Sequence, residues 1–158
     1  MKKPRLVLLA IAIISIGLIG AAVYLQIAER MLPCPWCVIQ RYVFVTIALT
    51  CLISAALPER AIRFGAGLAF LESLGGLGSA SWLLWVKAHP HVSCGIDPVE
   101  TALNKIWTAE WLPKLFEANG ECTTEYPPIF GLTVAQGSFT WFIILAIVLA
   151  WMAFRRAR

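Results

Sequence analysis

The sequence predicts an all-α integral membrane protein, a bundle of four transmembrane helices with a long outward loop that carries a short interfacial helix. Three observations predict it. Hydrophobic residues make up 59% of the 158 positions and charged residues only 14%, against about a quarter charged in a soluble domain. The apolar residues fall into four long stretches, of about residues 6–28, 38–57, 61–86 and 138–154. Most of the charged residues lie between or beside these stretches, not along a stripe, so the net charge of +4 reads as membrane topology and not as a nucleic-acid surface. The length allows a single membrane domain, residues 1–158.

The first three stretches have the roughly 20 residues that a helix needs to cross a bilayer, and the fourth is just long enough. The first follows Lys2, Lys3 and Arg5 like a secretory signal, but its apolar core is long and no small-x-small cleavage site follows. It is expected to be a retained span. In the third, Glu72 lies 11 residues in, about 16 Å along a helix. An acid inside a span is a functional candidate, though no role follows from its position. Gly75, Gly76, Gly78, Ser79 and Ala80 are expected to permit close helix packing. Cys51, in the second span, reads as a small buried side chain.

Basic residues set the orientation. Lys2, Lys3 and Arg5, then Arg60 and Arg63, then Arg155, Arg156 and Arg158 fall on one side, which the positive-inside rule makes cytoplasmic. Both termini are then cytoplasmic. The loops at about 29–37 and 87–137 face outward. Four of the five cysteines follow them: Cys34 and Cys37 in the first loop, Cys94 and Cys122 in the second. An oxidising compartment suits disulfides, and four cysteines allow three pairings.

Cys34-Pro35-Trp36-Cys37 places two sulfurs within reach of each other, in a pattern common to redox and zinc sites. Pro35 restricts the backbone and a span begins at once, so Cys37 is expected near a helix amino end, where free N–H groups and the dipole favour a thiolate. Arg41 lies one helical turn later, on the face of Cys37. It reads equally as an interfacial arginine that snorkels to water or as a cation beside the thiolate and a reduced quinone oxygen. Trp36 and Tyr42 read as interfacial anchors.

In the second loop, Asp97-Pro98-Val99-Glu100 has the residues of a helix start. Leu103, Ile106, Trp107, Trp111, Leu112, Leu115 and Phe116 continue it, with Pro113 interrupting and Asn119-Gly120 as a stop. Such a tryptophan-rich segment fits the membrane interface. His89 and His91 read as surface residues.

Taken together, the four spans, the Cys-x-x-Cys in the first outward loop and Arg41 one turn after it resemble the disulfide bond formation protein B (DsbB) family. So do the two loop cysteines, which flank Trp111-Leu112-Pro113 and Asn119-Gly120-Glu121-Cys122. The resemblance covers nearly the whole chain. It implies that the outward side is the periplasm of a bacterial inner membrane. It implies a protein-disulfide:quinone oxidoreductase that reoxidises a DsbA-like, thioredoxin-fold periplasmic protein. The partner would attack a Cys94–Cys122 disulfide, with Cys94 forming the mixed disulfide. Cys122 would then engage Cys34. Cys37 would pass the electrons to ubiquinone, or to menaquinone, with Arg41 beside the ring and Gln40 as a further pocket residue. The DsbA-type couple, a known property of that partner class and not of this sequence, lies near about −120 mV, so only a more oxidising acceptor makes the flow downhill. The resemblance also implies a histidine late in the third span. This chain instead reads Gly78-Ser79-Ala80-Ser81-Trp82-Leu83.

Other readings compete. A vitamin K epoxide reductase-like enzyme also combines thiols, quinone and four helices, but its Cys-x-x-Cys follows the loop cysteines, and here it precedes them. A metal-binding or transport protein would use Cys34, Cys37, Cys94 and Cys122 as thiolate ligands. A structural membrane protein would hold two inert disulfides.

Overall fold

The computed structural model describes residues 2–89, 91, 96–122, 124, 126, 128 and 131–154. Among the described residues the chain forms four long helices: α1 (Lys2–Ala28), α2 (Pro35–Ala56), α3 (Glu59–Ala88) and α7 (Val134–Phe154). Three short ones, α4 (Thr101–Asn104), α5 (Trp107–Trp111) and α6 (Pro113–Phe116), lie in the second loop. Backbone N–H and C=O groups cannot be left unpaired in lipid, which is why apolar stretches of this length become helices. The side chains of Lys2 and Asp97, and all of Cys94, Arg155, Arg156 and Arg158, lie outside the described residues.

By length and composition α1, α2 and α7 can each cross a membrane. The 30-residue α3 is long enough, but its glycines, its serines and Glu72 dilute its apolar character. The cause is its place in the bundle, where it packs against both α2 and α7. Ala66, Ala69, Ser73, Gly76, Ser79 and Ala80 are buried there, at the three- and four-residue spacing of one helix face. Small residues let helix backbones approach closely where no water drives association. Ser73 and Ser79 return their hydroxyls to the carbonyls of Phe70 and Gly76, at 2.7 and 2.8 Å. Glu72 receives the Thr50 hydroxyl at 2.9 Å.

Phe44 of α2 and Phe142 of α7 stack at the centre, with ring centroids 4.3 Å apart and planes 9° from parallel. Around them pack Leu8, Ile47, Cys51, Leu145 and Leu149. Cys51 is wholly buried there, as a small core side chain should be. Large apolar side chains such as Ile13, Phe64, Leu71, Ile147 and Phe154 instead face outward, as a lipid-exposed surface requires.

Of the glycine cluster, only Gly76 is tightly pressed. A Cβ there would overlap the Phe142 ring, whereas Gly75 and Gly78 have open space. Gly76→Val is therefore expected to disrupt the phenylalanine stack and to cost about 1–3 kcal/mol through overpacking. Gly78→Val should cost far less. Thermal unfolding of the two variants in detergent checks the difference.

The second loop departs from the single helix expected of it. Its helical course breaks at Lys105–Ile106 and again at Leu112, and Pro113 opens α6. The stop comes at Glu117, whose backbone is extended, ahead of Asn119-Gly120. These pieces pack on α2 through Leu103, Ala109, Phe116 and Ala118 against Val38. Tyr42 is not a lipid anchor. Its ring stacks on Phe116 with centroids 4.3 Å apart, and its hydroxyl hydrogen-bonds Thr108. Trp107 and Trp111 point away from the bundle, exposed, and suit a membrane interface.

Candidate functional site

The first cysteine pair is shaped by the start of α2. Cys34 is its N-cap, with extended backbone (φ −72°, ψ 161°), and Pro35 fills the first helical position. Proline fits there because that N–H has no helical partner. The third N–H of the helix belongs to Cys37, and it donates to Cys34 Sγ at 3.2 Å. The cysteine sulfur thus does the capping that a serine or aspartate oxygen usually does. The two sulfurs are held on one side of the helix start as free thiols. Cys34 is buried and Cys37 partly so. The hydrogen bond to Cys37, burial and the charge of Cys37 together push the Cys34 thiol well above the ordinary cysteine range.

Cys122 is disulfide-bonded and buried beside Cys34, in an apolar cluster with Leu83, Val86 and Ala135. Cys94 lies outside the described residues. The second loop reaches Cys34 because it is tied to the first loop. The N–H groups of Asn119 and Gly120 both donate to the Pro33 carbonyl, at 3.2 and 3.1 Å. The Tyr126 hydroxyl accepts the Leu32 N–H at 3.0 Å. Asn104 braces the segment from behind, giving its amide N–H to Ala118 O and accepting the Ala118 N–H, each at 2.8 Å.

Two cavities meet at Cys37. The outer one, about 440 Å³, is lined by Cys34, Cys37, Cys122, Lys87, Glu121 and Tyr126 among others. The second, about 420 Å³, lies between α1, α2 and α7. Leu18, Ala22, Leu25, Phe44 and Trp141 give it apolar walls, and Cys37, Gln40 and Arg41 give it polar ones. Gln40 is only 4% exposed, and its Nε2 has no hydrogen-bond partner among the described residues. Buried amides without a partner are costly, so this donor is suited to a ligand acceptor.

Arg41 resolves its two readings in part. It is buried and does not reach toward water. Its guanidinium donates to Gln26 Oε1 at 2.8 Å and to the carbonyls of Leu115 and Lys114 at 3.0 and 3.4 Å. It joins α1, α2 and the end of α6 while its charge acts on Cys37.

Of the residues singled out from sequence, Cys34, Cys37, Cys122, Gln40 and Arg41 come together. The Ser81–Trp82 region does not line the second cavity. Ser81 bonds its own helix at Leu77 O, and Trp82 packs against Trp36 with centroids 6.1 Å apart. His89 is partly buried, stacked on Trp85, and its Nδ1 lies 2.9 Å from Trp85 O. Gln26, Lys87 and Tyr126 were not anticipated. Gln26 did carry a signal, as a lone amide late in an apolar stretch.

Residues 4–152 match the family model described as Disulfide bond formation protein DsbB. The chain belongs to the DsbB family. It is 55% identical to the disulfide bond formation protein B of Herminiimonas arsenicoxydans, with 99% of each chain covered. It is 42% identical to that of Ralstonia nicotianae, over 99% of this chain and 98% of the other. Against that of Cupriavidus metallidurans it is 38% identical, over 99% and 96%. Membership fixes the coarse role: a helical membrane protein of disulfide bond formation. It sets aside the epoxide-reductase-like, metal-transport and inert-disulfide readings. Among the described residues, no three His, Cys, Asp or Glu side chains are grouped to hold a metal ion.

Proposed function

We propose that this DsbB-family chain reoxidises a DsbA-like periplasmic thiol oxidant and passes the electrons to a membrane quinone. The observation that carries the reading is the position of Cys37 in the wall shared by two cavities. One holds Cys34 and Cys122, and the other is apolar with Gln40 and Arg41 at its polar end. The orientation is the one that the basic residues set, with the cysteine loops on the periplasmic side.

The residues divide the work. As the family resemblance implies, Cys94 forms the mixed disulfide with the incoming protein; Cys34 and Cys122 are both buried. The freed Cys122 thiolate attacks Cys34, and Cys37 leaves with the electron pair. The partner's second thiol then releases Cys94, which takes Cys122 back from Cys34. The Cys34–Cys37 bond re-forms when a quinone held in the second cavity, which Cys37 borders, accepts the two electrons and two protons. Gln40 Nε2 is placed to donate to a carbonyl oxygen there. Arg41 supplies fixed positive charge, preoriented by Gln26 and the α6 carbonyls, where negative charge would grow. The apolar walls exclude water and accept the ring.

The test is direct. Purified chain in detergent, given a reduced DsbA-like protein and a soluble ubiquinone or menaquinone analogue, is expected to reduce the quinone, read as loss of its ultraviolet absorbance. No reduction with an intact partner overturns the reading. Within the same assay, Gln40→Leu is expected to raise the KM for quinone about 3–10-fold, the worth of one hydrogen bond. Its rate of disulfide exchange with the partner should stay unchanged.

A further inference from the structure

Lys87 ends α3 on the outward side and has no part in the relay described so far. Its Nζ donates to the Thr124 carbonyl at 3.1 Å, two residues beyond Cys122. It lines the outer cavity with Cys34, Cys37 and Cys122, and its charge acts on both Cys34 and Cys37. The other groups that face the pair are few. From α2 comes Arg41, whose guanidinium is taken up by Gln26 and the carbonyls of Lys114 and Leu115. From the second loop come Glu121, Tyr126 and disulfide-bonded Cys122. From the first turn of α7 and the residue just before it come only the uncharged Gln136 and Thr133. Among the described residues Lys87 is thus the one cation that lines the outer cavity.

We infer that Lys87 is the positioning residue for exchange between the two cysteine pairs, latching the Cys122 segment across the outer cavity and holding an ammonium beside the sulfur that leaves. This rests on the relay proposed above. In the step concerned, the Cys122 thiolate attacks Cys34 Sγ of the oxidised pair. The Cys122–Cys34 bond forms, the Cys34–Cys37 bond breaks, and Cys37 departs as a thiolate with the electron pair. The step consumes no external oxidant and moves no proton. Negative charge passes from one sulfur to another inside a partly dry cavity, where a nearby cation is worth more than in water. The helix end supports the arrangement, since a lysine in the last turn complements the carbonyl end of α3. Arg41 then serves the quinone side of Cys37 and Lys87 the disulfide side.

The test uses the reduced full-length chain in detergent, with Lys87→Gln and Lys87→Arg. Alkylation of Cys37 by iodoacetamide is followed by peptide mass spectrometry across pH. Lys87→Gln is expected to slow alkylation about threefold at neutral pH and to move the profile to the alkaline side by about half a pH unit, a modest effect for a partly exposed charge. Lys87→Arg should keep the wild-type profile. A wild-type profile in Lys87→Gln overturns the inference, and so does equal slowing in both variants, which would mark a packing effect only. Alkylation needs no quinone, so absence of quinone reduction in the wild type would count against the relay alone.

Discussion

Replacing Cys37 by serine is expected to abolish quinone reduction, by at least about a thousandfold, while leaving the chain able to form a mixed disulfide with the partner through Cys94. The expectation follows from position. Cys37 borders both cavities, whereas Cys34 and Cys122 line only the outer one. Electrons that arrive at Cys34 therefore have one sulfur from which to reach the apolar cavity. Removing a nucleophile from such a chain leaves only binding and electrostatics behind, and losses of several orders of magnitude are usual. The fold should tolerate the change, because the capping bond uses the Cys37 backbone N–H and the Cys34 sulfur, not the Cys37 side chain. With a reduced DsbA-like partner, Cys37→Ser should stop at the Cys94 mixed disulfide and a free Cys122 thiolate, because no Cys34–Cys37 disulfide is present for Cys122 to attack. Non-reducing peptide mapping detects the mixed disulfide and the absence of a Cys34–Cys122 bond. Quinone turnover near the wild-type rate in Cys37→Ser would remove Cys37 from this role.

The sequence makes the bundle and the start of this site readable for a physical reason: both are local. Apolar stretches of span length announce α1, α2 and α7 without reference to the rest of the chain. Pro35 followed by an apolar stretch marks a helix start, and so places Cys34 at the cap and Cys37 in the first turn. Arg41 follows by helical spacing alone. The features that complete the site are not local. Gln26 meets Arg41 across two helices, and Trp82 meets Trp36 from α3. Asn119 and Gly120 look like a helix stop because that is what Asn-Gly commonly is after an amphipathic segment. Their actual work is to bring two N–H groups to Pro33, a pairing that no periodicity encodes. Tyr42 misleads similarly. An aromatic near a span end usually faces the lipid interface, but here the second loop arrives to cover it with Phe116 and Thr108.

That docking makes Gly120 the residue whose replacement should cut the relay in two. A Cβ on Gly120 would lie 2.7 Å from the Leu32 carbonyl carbon and closer still to its oxygen. Leu32 contributes backbone here, so nothing flexible can move aside. The second loop must instead lift, losing the two N–H donations to Pro33 and carrying Cys122, two residues on, away from Cys34. Gly120→Val is therefore expected to slow electron transfer from a DsbA-like partner at least about tenfold, since misplacement by about 1 Å can cost a hundredfold in a reaction that depends on alignment. The later half of the path should survive. Cys34 and Cys37 belong to α2, and the second cavity is lined by α1, α2 and α7 with residues just before α7. A small dithiol that reduces the Cys34–Cys37 pair directly should therefore drive quinone reduction in Gly120→Val at close to the wild-type rate. Lifting the loop should even help, by uncovering Cys34, which is now only 3% exposed. The ratio of partner-driven to dithiol-driven turnover isolates the loop-to-loop step. An unchanged ratio would mean that exchange between Cys122 and Cys34 does not depend on the clasp at Pro33. A fall in both rates together would mean that Gly120 supports the bundle as a whole.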